Sequence, residues 1–412
     1  MQQVVCCCRL EIHKEDNAMK QLFTKHLVMI SALTLLTAGV GRATDQQTQA
    51  FLGVFAETSQ NRMAGMAMPK INIPDNPNIP PEIRARLAGM GGGPQRKLTV
   101  RLWTPGIAPD DATASLEIPD GLKLGQKLDL DLYRPKPVEG AASGVEQPGT
   151  PASIDTDFVI KRYWGSSETV KPGQPDVVSI KDLTGDQKAA MRQKSMQAQQ
   201  AASSSYFYKP DWTTGYWPKD RQPGTIAAGA SLVGHYALTS SYSGNVAIDV
   251  PETVNFLDAI EMTSPQLDQV VPLDKAMLFR WKNVPNALGF HATITGFMRE
   301  KKTMIIWTSS EIKTDVGMSM DYLQMSEVKD LVAKTVFMSG DRVDVAVPAG
   351  IFDGCDVVSM MMVGYGPGTA LDKGQPLPRV QSKTTLTINL GGAMMKRGNR
   401  PGGFRRPGGD PQ

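Results

Sequence analysis

Beyond Lys97 the chain alternates apolar and polar residues with a period of two, the spacing of strands that bury one face. Leu98, Val100 and Leu102 alternate with Thr99 and Arg101; Ala114, Leu116 and Ile118 with Ser115 and Glu117; Leu128, Leu130 and Leu132 with Asp129 and Asp131. Pro119-Asp120-Gly121 supplies a turn between the second and third, proline presetting φ and glycine accepting the left-handed region. Three strands this close together cannot bury a core alone, so they must pair with later ones, expected at 158–163, 177–180, 232–238 and 246–250. The Pro, Gly, Ala and Ser-rich stretch 134–156 is then a long loop inside one domain.

The alternation is clearest around 276–295. Met277, Phe279 and Trp281 share one face of a strand, and Phe290, Ala292 and Ile294 share one face of the next. Between them Val284-Pro285-Asn286-Ala287-Leu288-Gly289 carries turn residues. Trp281, Val284, Pro285, Ala287, Gly289 and Phe290 resemble the start of a fibronectin type III-like β-sandwich of bacterial exported proteins, where a strand ending in Trp precedes Val-Pro-x-Ala-x-Gly-aromatic. The resemblance implies a sandwich domain over 262–392, with further strands at 303–308, 343–347, 357–363 and 384–390, and implies almost nothing about function. The strand at 343–347 lacks the tyrosine such domains usually carry near that corner.

Two segments have helical rather than strand character. Thr184-Gly185-Asp186-Gln187 fits a capping box ahead of a helix over 185–202, whose scattered apolar residues suit an exposed position on the sheet. A second helix over 326–337 starts at Ser326, an N-cap residue type, and places Val328, Leu331, Val332, Thr335 and Val336 on one face.

The start of the chain reads as a targeting segment. Lys20 and Lys25, the apolar run 27–40 and Gly41-Arg42-Ala43 have the layout of a secretory signal peptide over 19–43, with cleavage expected after Ala43. Residues 1–18 then read as an extension from a start codon placed too far upstream. The apolar run is short for a membrane span and no cysteine follows it, so neither a transmembrane anchor nor a lipid anchor is expected after cleavage. Cys6, Cys7 and Cys8 precede the cleavage point, leaving Cys355 alone and expected to be buried and inert beside Val357. Removal of 1–43 takes away five basic and three acidic residues, reducing the net charge of +3 to +1, which offers no field to hold nucleic acid. Pro and Gly density makes 44–96 an expected flexible arm, and the basic Gly/Arg/Pro tail 393–412 is expected to be disordered.

Candidate chemistry is sparse. After cleavage only His235 and His291 remain, each facing away from the more apolar side of its strand, and with one cysteine they supply too few ligands for a zinc site. Ser326-Glu327-Val328-Lys329 matches Ser-x-x-Lys without the companion motifs of penicilloyl-transferring enzymes, and Gly229-Ala230-Ser231-Leu232-Val233-Gly234 is one residue too long for a nucleophile elbow. Asp129 with Asp131, and Asp341 with Asp344, read as surface carboxylates; no catalytic residue and no cofactor is expected.

Tyr206, Phe207, Tyr208, Trp212, Tyr216 and Trp217 form a non-periodic aromatic cluster read as a loop from helix to strand. Exposed, these rings are a platform for sugars or an apolar partner; buried, they cap the first domain. Tyr206, Tyr208, Trp212, Tyr216 and Trp217 are the candidate ligand-binding residues. Met63, Met66 and Met68 resemble methionine motifs of exported copper-handling proteins, in which thioethers hold Cu(I), although a chain with 22 methionines also clusters them by chance.

The sequence thus predicts a mainly β protein: two β-sandwich-like domains over 97–261 and 262–392, each with one inserted or capping helix, between disordered arms. The expected function is an exported, non-catalytic binding or structural protein of the cell envelope, periplasmic or extracellular, with a polysaccharide or an envelope protein as partner. Periplasmic copper handling through the methionines is the alternative, and an unidentified enzyme the third.

Overall fold

In the computed structural model, residues 49–67, 92–135, 157–190, 211–314, 322–370 and 379–392 are described, with the isolated positions 83, 87 and 193. The segments expected to be the signal peptide, the upstream extension and the basic tail, nearly all of the expected 134–156 loop and most of the expected 185–202 helix lie outside them.

The first described strand, β1 (Phe51–Met63), occupies the stretch expected to be a flexible arm. Both faces of β1 are covered, so Leu52, Val54, Phe55 and Ala56 are buried and no alternation betrays the strand. It lies antiparallel to β2 (Gln95–Thr104) and parallel to β19 (Arg379–Gly391).

Among the described residues, twelve strands form one long sheet. Its order is β5 (Asp131–Tyr133), β8 (Thr213–Trp217), β2, β1, β19, β18 (Val357–Ala370), β14 (Gly289–Met298), β15 (Thr303–Thr308), β6 (Val159–Trp164) and β7 (Asp176–Ser179). The short β9 (Gly224–Ile226) and β16 (Met338–Ser339) attach to β2 and β14. Two smaller sheets face it. One has the order β11 (Val246–Val250), β10 (Gly234–Ser240), β3 (Ala114–Glu117), β4 (Lys127–Asp129), and the other β12 (Met262–Ser264), β13 (Met277–Trp281), β17 (Asp344–Val347).

Each smaller sheet closes its own core against the long one. Val54, Leu98, Val100, Leu116, Tyr236 and Ile248 fill the first core, and Phe279, Phe290, Ile294, Trp307, Val345 and Met360 the second. The fold is therefore mainly β and sandwich-like, but the boundary expected at 261/262 divides neither the sheet nor the cores, since Leu257 and Ile260 pack in the second core and Val380 in the first. Strands 158–163 and 177–180, expected to complete the first domain, instead extend the sheet beyond β15, where Tyr163 packs on the second core. Every residue of β6 is half-buried, so its pattern carries no sign of which core it serves.

Between the cores the inward positions of β1 and β19 turn polar, at Thr58, Gln60 and Arg62 and at Ser382 and Thr384. The connector 251–261 crosses this seam: Thr58 Oγ1 donates to the Leu257 carbonyl at 2.6 Å, and Leu257 is 2% exposed. Gly366 gives it room, since a Cβ there would lie 2.9 Å from Leu257 Cγ.

Other local departures have physical causes. The strand read over 128–132 breaks at Leu130, whose N–H donates to the Ala114 carbonyl at 2.9 Å, and continues from one sheet (β4) into the other (β5). Asn286 takes the positive φ of +64° that its turn requires. Thr184 and Gln187 exchange the two capping-box hydrogen bonds at 3.3 and 2.9 Å, and residues 185–190 are helical. The helix expected from Ser326 is α1 (Met325–Ala333); its N-cap is Gln324, whose N–H donates to Glu327 Oε2 at 2.7 Å, so Ser326 lies inside the first turn. Tyr236 is fully buried and its hydroxyl donates to the Leu232 carbonyl at 2.8 Å, a tie between a strand and the chain just upstream of the kind sandwich folds use.

Candidate functional site

The long sheet has a second face, turned away from both small sheets, and its cross-strand register brings together residues far apart in sequence. Tyr133, Thr214, Trp103 and Phe51 form one row across β5, β8, β2 and β1. Asp131, Tyr216, Arg101, Gly53 and Arg379 form the next, reaching β19. A third row contains Thr99, Phe55 and Gln381, and a fourth Lys97, Glu57 and Lys383.

The middle of this face is covered. Phe55 and Trp103 are buried with Phe51, Trp212 and Tyr322 packed around them. Trp212 stacks on Phe51 with ring centroids 5.3 Å apart, and Tyr322 lies 4.8 Å from Phe55. Arg101 and Arg379 approach the Phe55 ring to 5.8 and 5.3 Å, and Lys383 approaches Tyr322 to 4.3 Å.

Among the described residues the edge of the face is less covered. Tyr133, on the edge strand β5, is 47% exposed, and Tyr216 on β8 is half-buried. The guanidinium of Arg221, an exposed residue at φ +62°, lies 4.0 Å from the Tyr133 ring centre and 5.1 Å from that of Tyr216. Neighbouring Arg134 is engaged elsewhere, donating to the Pro109 carbonyl at 2.6 Å and the Ala108 carbonyl at 3.1 Å. Among the described residues this edge presents Tyr133, Tyr216 and the Arg221 guanidinium, with the exposed Asp131 paired across from Tyr216.

The predicted aromatic cluster is divided by strand β8. Tyr216 points to the outer face, while Trp217 turns inward and packs on the first core. Trp212 joins the covered middle. Tyr206, Phe207 and Tyr208 lie outside the described residues. Tyr133 and Arg221 were missed by sequence reasoning. The outward parity of Tyr133, between inward Leu132 and the chain turn, was a usable signal; nothing local marks Arg221.

The remaining candidates are scattered. Met63 ends β1, Met66 is 55% exposed in the turn after it, and Met68 lies outside the described residues. His235 is exposed and its Nδ1 lies 2.7 Å from Asp249 Oδ1. His291 does face away from Phe290 and Ile294, but it is buried rather than exposed, because α1 and Phe337 cover that part of the sheet; its ring is 5.1 Å from Phe337. Burial holds its pKa down at about 4. Cys355 is buried and free, its thiol pushed up to about 11 by burial first and then by Asp356 and Asp353.

A cavity of about 220 Å³ opens at the seam, lined by Gln60, Arg62, Pro94, Ala259, Glu261 and Met262. Its Gln60 amide donates to the Gly92 carbonyl at 2.8 Å and Glu261 pairs with Lys282 at 2.5 Å. Among the described residues no group of three or more His, Cys, Asp or Glu is placed to hold a metal, and no helix is long and apolar enough to cross a membrane. In comparisons with known proteins, no family model and no curated sequence matches the chain.

Proposed function

We propose that this chain is an exported, non-catalytic binding protein of the cell envelope, and that it holds a carboxylate-bearing polysaccharide at the β5 edge of the long sheet. The observation that carries this reading is the Tyr133–Arg221–Tyr216 group. Tyrosine faces and edges stack on the apolar faces of sugar rings, and a guanidinium held over them supplies paired donors for a carboxylate. The signal-peptide layout of 19–43 supports export. We also propose that the second half is fibronectin type III-like. Its three-stranded sheet β12-β13-β17 facing β15-β14-β18-β19 supports that architecture, as does the crossing of the chain from one sheet to the other between Trp281 and Gly289.

Affinity electrophoresis of residues 44–412 through gels containing polygalacturonate, alginate or a neutral glucan tests the binding. Retardation by the two acidic polymers, lost in a Tyr133→Ala/Arg221→Ala variant of unchanged circular dichroism, is the expected result. Trp217→Ala is a poor probe, because the side chain packs on the first core. Equal mobility of wild type and variant in every gel would refute the site.

A further inference from the structure

Past Ser59, its last residue paired with β2, strand β1 runs on to Met63 beside β19 alone among the described residues. Its inward side chains there are Gln60 and Arg62, and both line the seam cavity of about 220 Å³. The other walls come from two distant segments: Pro94, just ahead of β2, and Ala259, Glu261 and Met262, where the connector leaves the seam and enters β12. The hydrogen bond from Gln60 Nε2 to the carbonyl of Gly92, a residue at φ +74°, fixes the Gln60 amide and leaves its Oε1 as an acceptor.

The cavity has one charge of each sign. Arg62 buries its Nε without a hydrogen-bond partner, which costs free energy unless a ligand completes it. Glu261 meets Lys282 through Oε2 alone, at 2.5 Å, and its carbonyl accepts from the Lys282 N–H at 2.9 Å. Its other carboxylate oxygen remains an acceptor. Arg62 and Glu261 form no ion pair with each other, although they line one cavity. The rest of the wall, Pro94, Ala259 and Met262, is apolar. A cavity of about 150 Å³ holds benzene, so this one admits a ligand of roughly six to nine non-hydrogen atoms.

We infer that the seam cavity binds a free α-amino acid with a short side chain, its carboxylate on Arg62 and its ammonium facing Gln60 Oε1 and Glu261. A zwitterion brings each charged wall its opposite, and the short side chain meets the apolar wall. A plain carboxylate answers Arg62 only and leaves the two acceptors facing nothing they can bond. The cavity lies on the inward side of the long sheet, whereas Tyr133 and Tyr216 stand on its outer face, so this site does not depend on the polysaccharide reading.

Titration calorimetry of the full chain with glycine, L-alanine, L-tryptophan, acetate and ethylammonium tests the inference. Glycine or L-alanine should bind with a Kd below about 1 mM, at least about tenfold tighter than the other three compounds. Arg62→Met and Glu261→Gln should each weaken that binding by about tenfold or more. Ala259→Leu, which fills the cavity and keeps both charges, should abolish it, and Arg221→Ala should leave it unchanged. No binding of either short amino acid, acetate bound as tightly as L-alanine, or binding that survives Ala259→Leu in a variant of unchanged circular dichroism would each overturn the inference.

Discussion

The ring of Phe55 lies across Gly53: a Cβ added at Gly53 would sit 2.5 Å from Phe55 Cε2 and Cζ. Gly53 is in register with Arg101 on one side and Arg379 on the other, and both guanidinium groups approach the same ring. Alanine is normally favoured over glycine inside a strand by about 0.5–1 kcal/mol. Here Trp103 and Tyr322 hold the ring in place, so overpacking outweighs that gain. Gly53→Ala should lower stability by about 1–2 kcal/mol, read as a fall in the urea midpoint, and Gly53→Ala/Phe55→Leu should recover part of it.

His291 makes stability depend on acidity. The unfolded imidazole takes up a proton near pH 6.5 and the folded one only at about 4, so the unfolded chain binds more protons in between. The contribution of this residue is complete above pH 6.5 and is lost as pH falls toward 4, at up to about 1.4 kcal/mol per pH unit. Urea unfolding across that window should show the slope, and His291→Leu, which keeps the contact with Phe337 apolar, should flatten it.

Cys355 should be a silent thiol. Buried in the second core and deprotonated only at about 11, it offers little thiolate at neutral pH. In residues 44–412, where Cys355 is the one thiol, labelling by a maleimide should be slow in buffer and complete within minutes in urea; rapid labelling of the folded protein would mean that the core around Phe352 opens.

Strands with one buried face were legible because alternation reports burial directly: β11 and β15 match the expected 246–250 and 303–308. β1 was not, because a strand covered on both faces loses the alternation that marks it. Its outer cover comes from residues as distant as Arg101, Tyr322 and Arg379, which no local pattern connects. The same limit hid the proposed site. Tyr216 was singled out for its aromatic neighbours, yet its surroundings are set by Tyr133 and Arg221, brought to it by β5 pairing and a turn. The alternation on either side of 284–289 located β13 and β14 but could not reveal that β19 continues into a sheet shared with the first core.

If one sheet serves both cores, the two cannot unfold separately. Hydrogen exchange by mass spectrometry through a urea series, comparing peptides from β3 and β10 with peptides from β13 and β17, tests this most directly. Both sets should lose protection at one midpoint, and Leu116→Ala in the first core and Phe279→Ala in the second should each shift that common midpoint, at a cost of about 2–5 kcal/mol. Two midpoints, with Leu116→Ala moving only that of β3 and β10, would contradict the shared sheet.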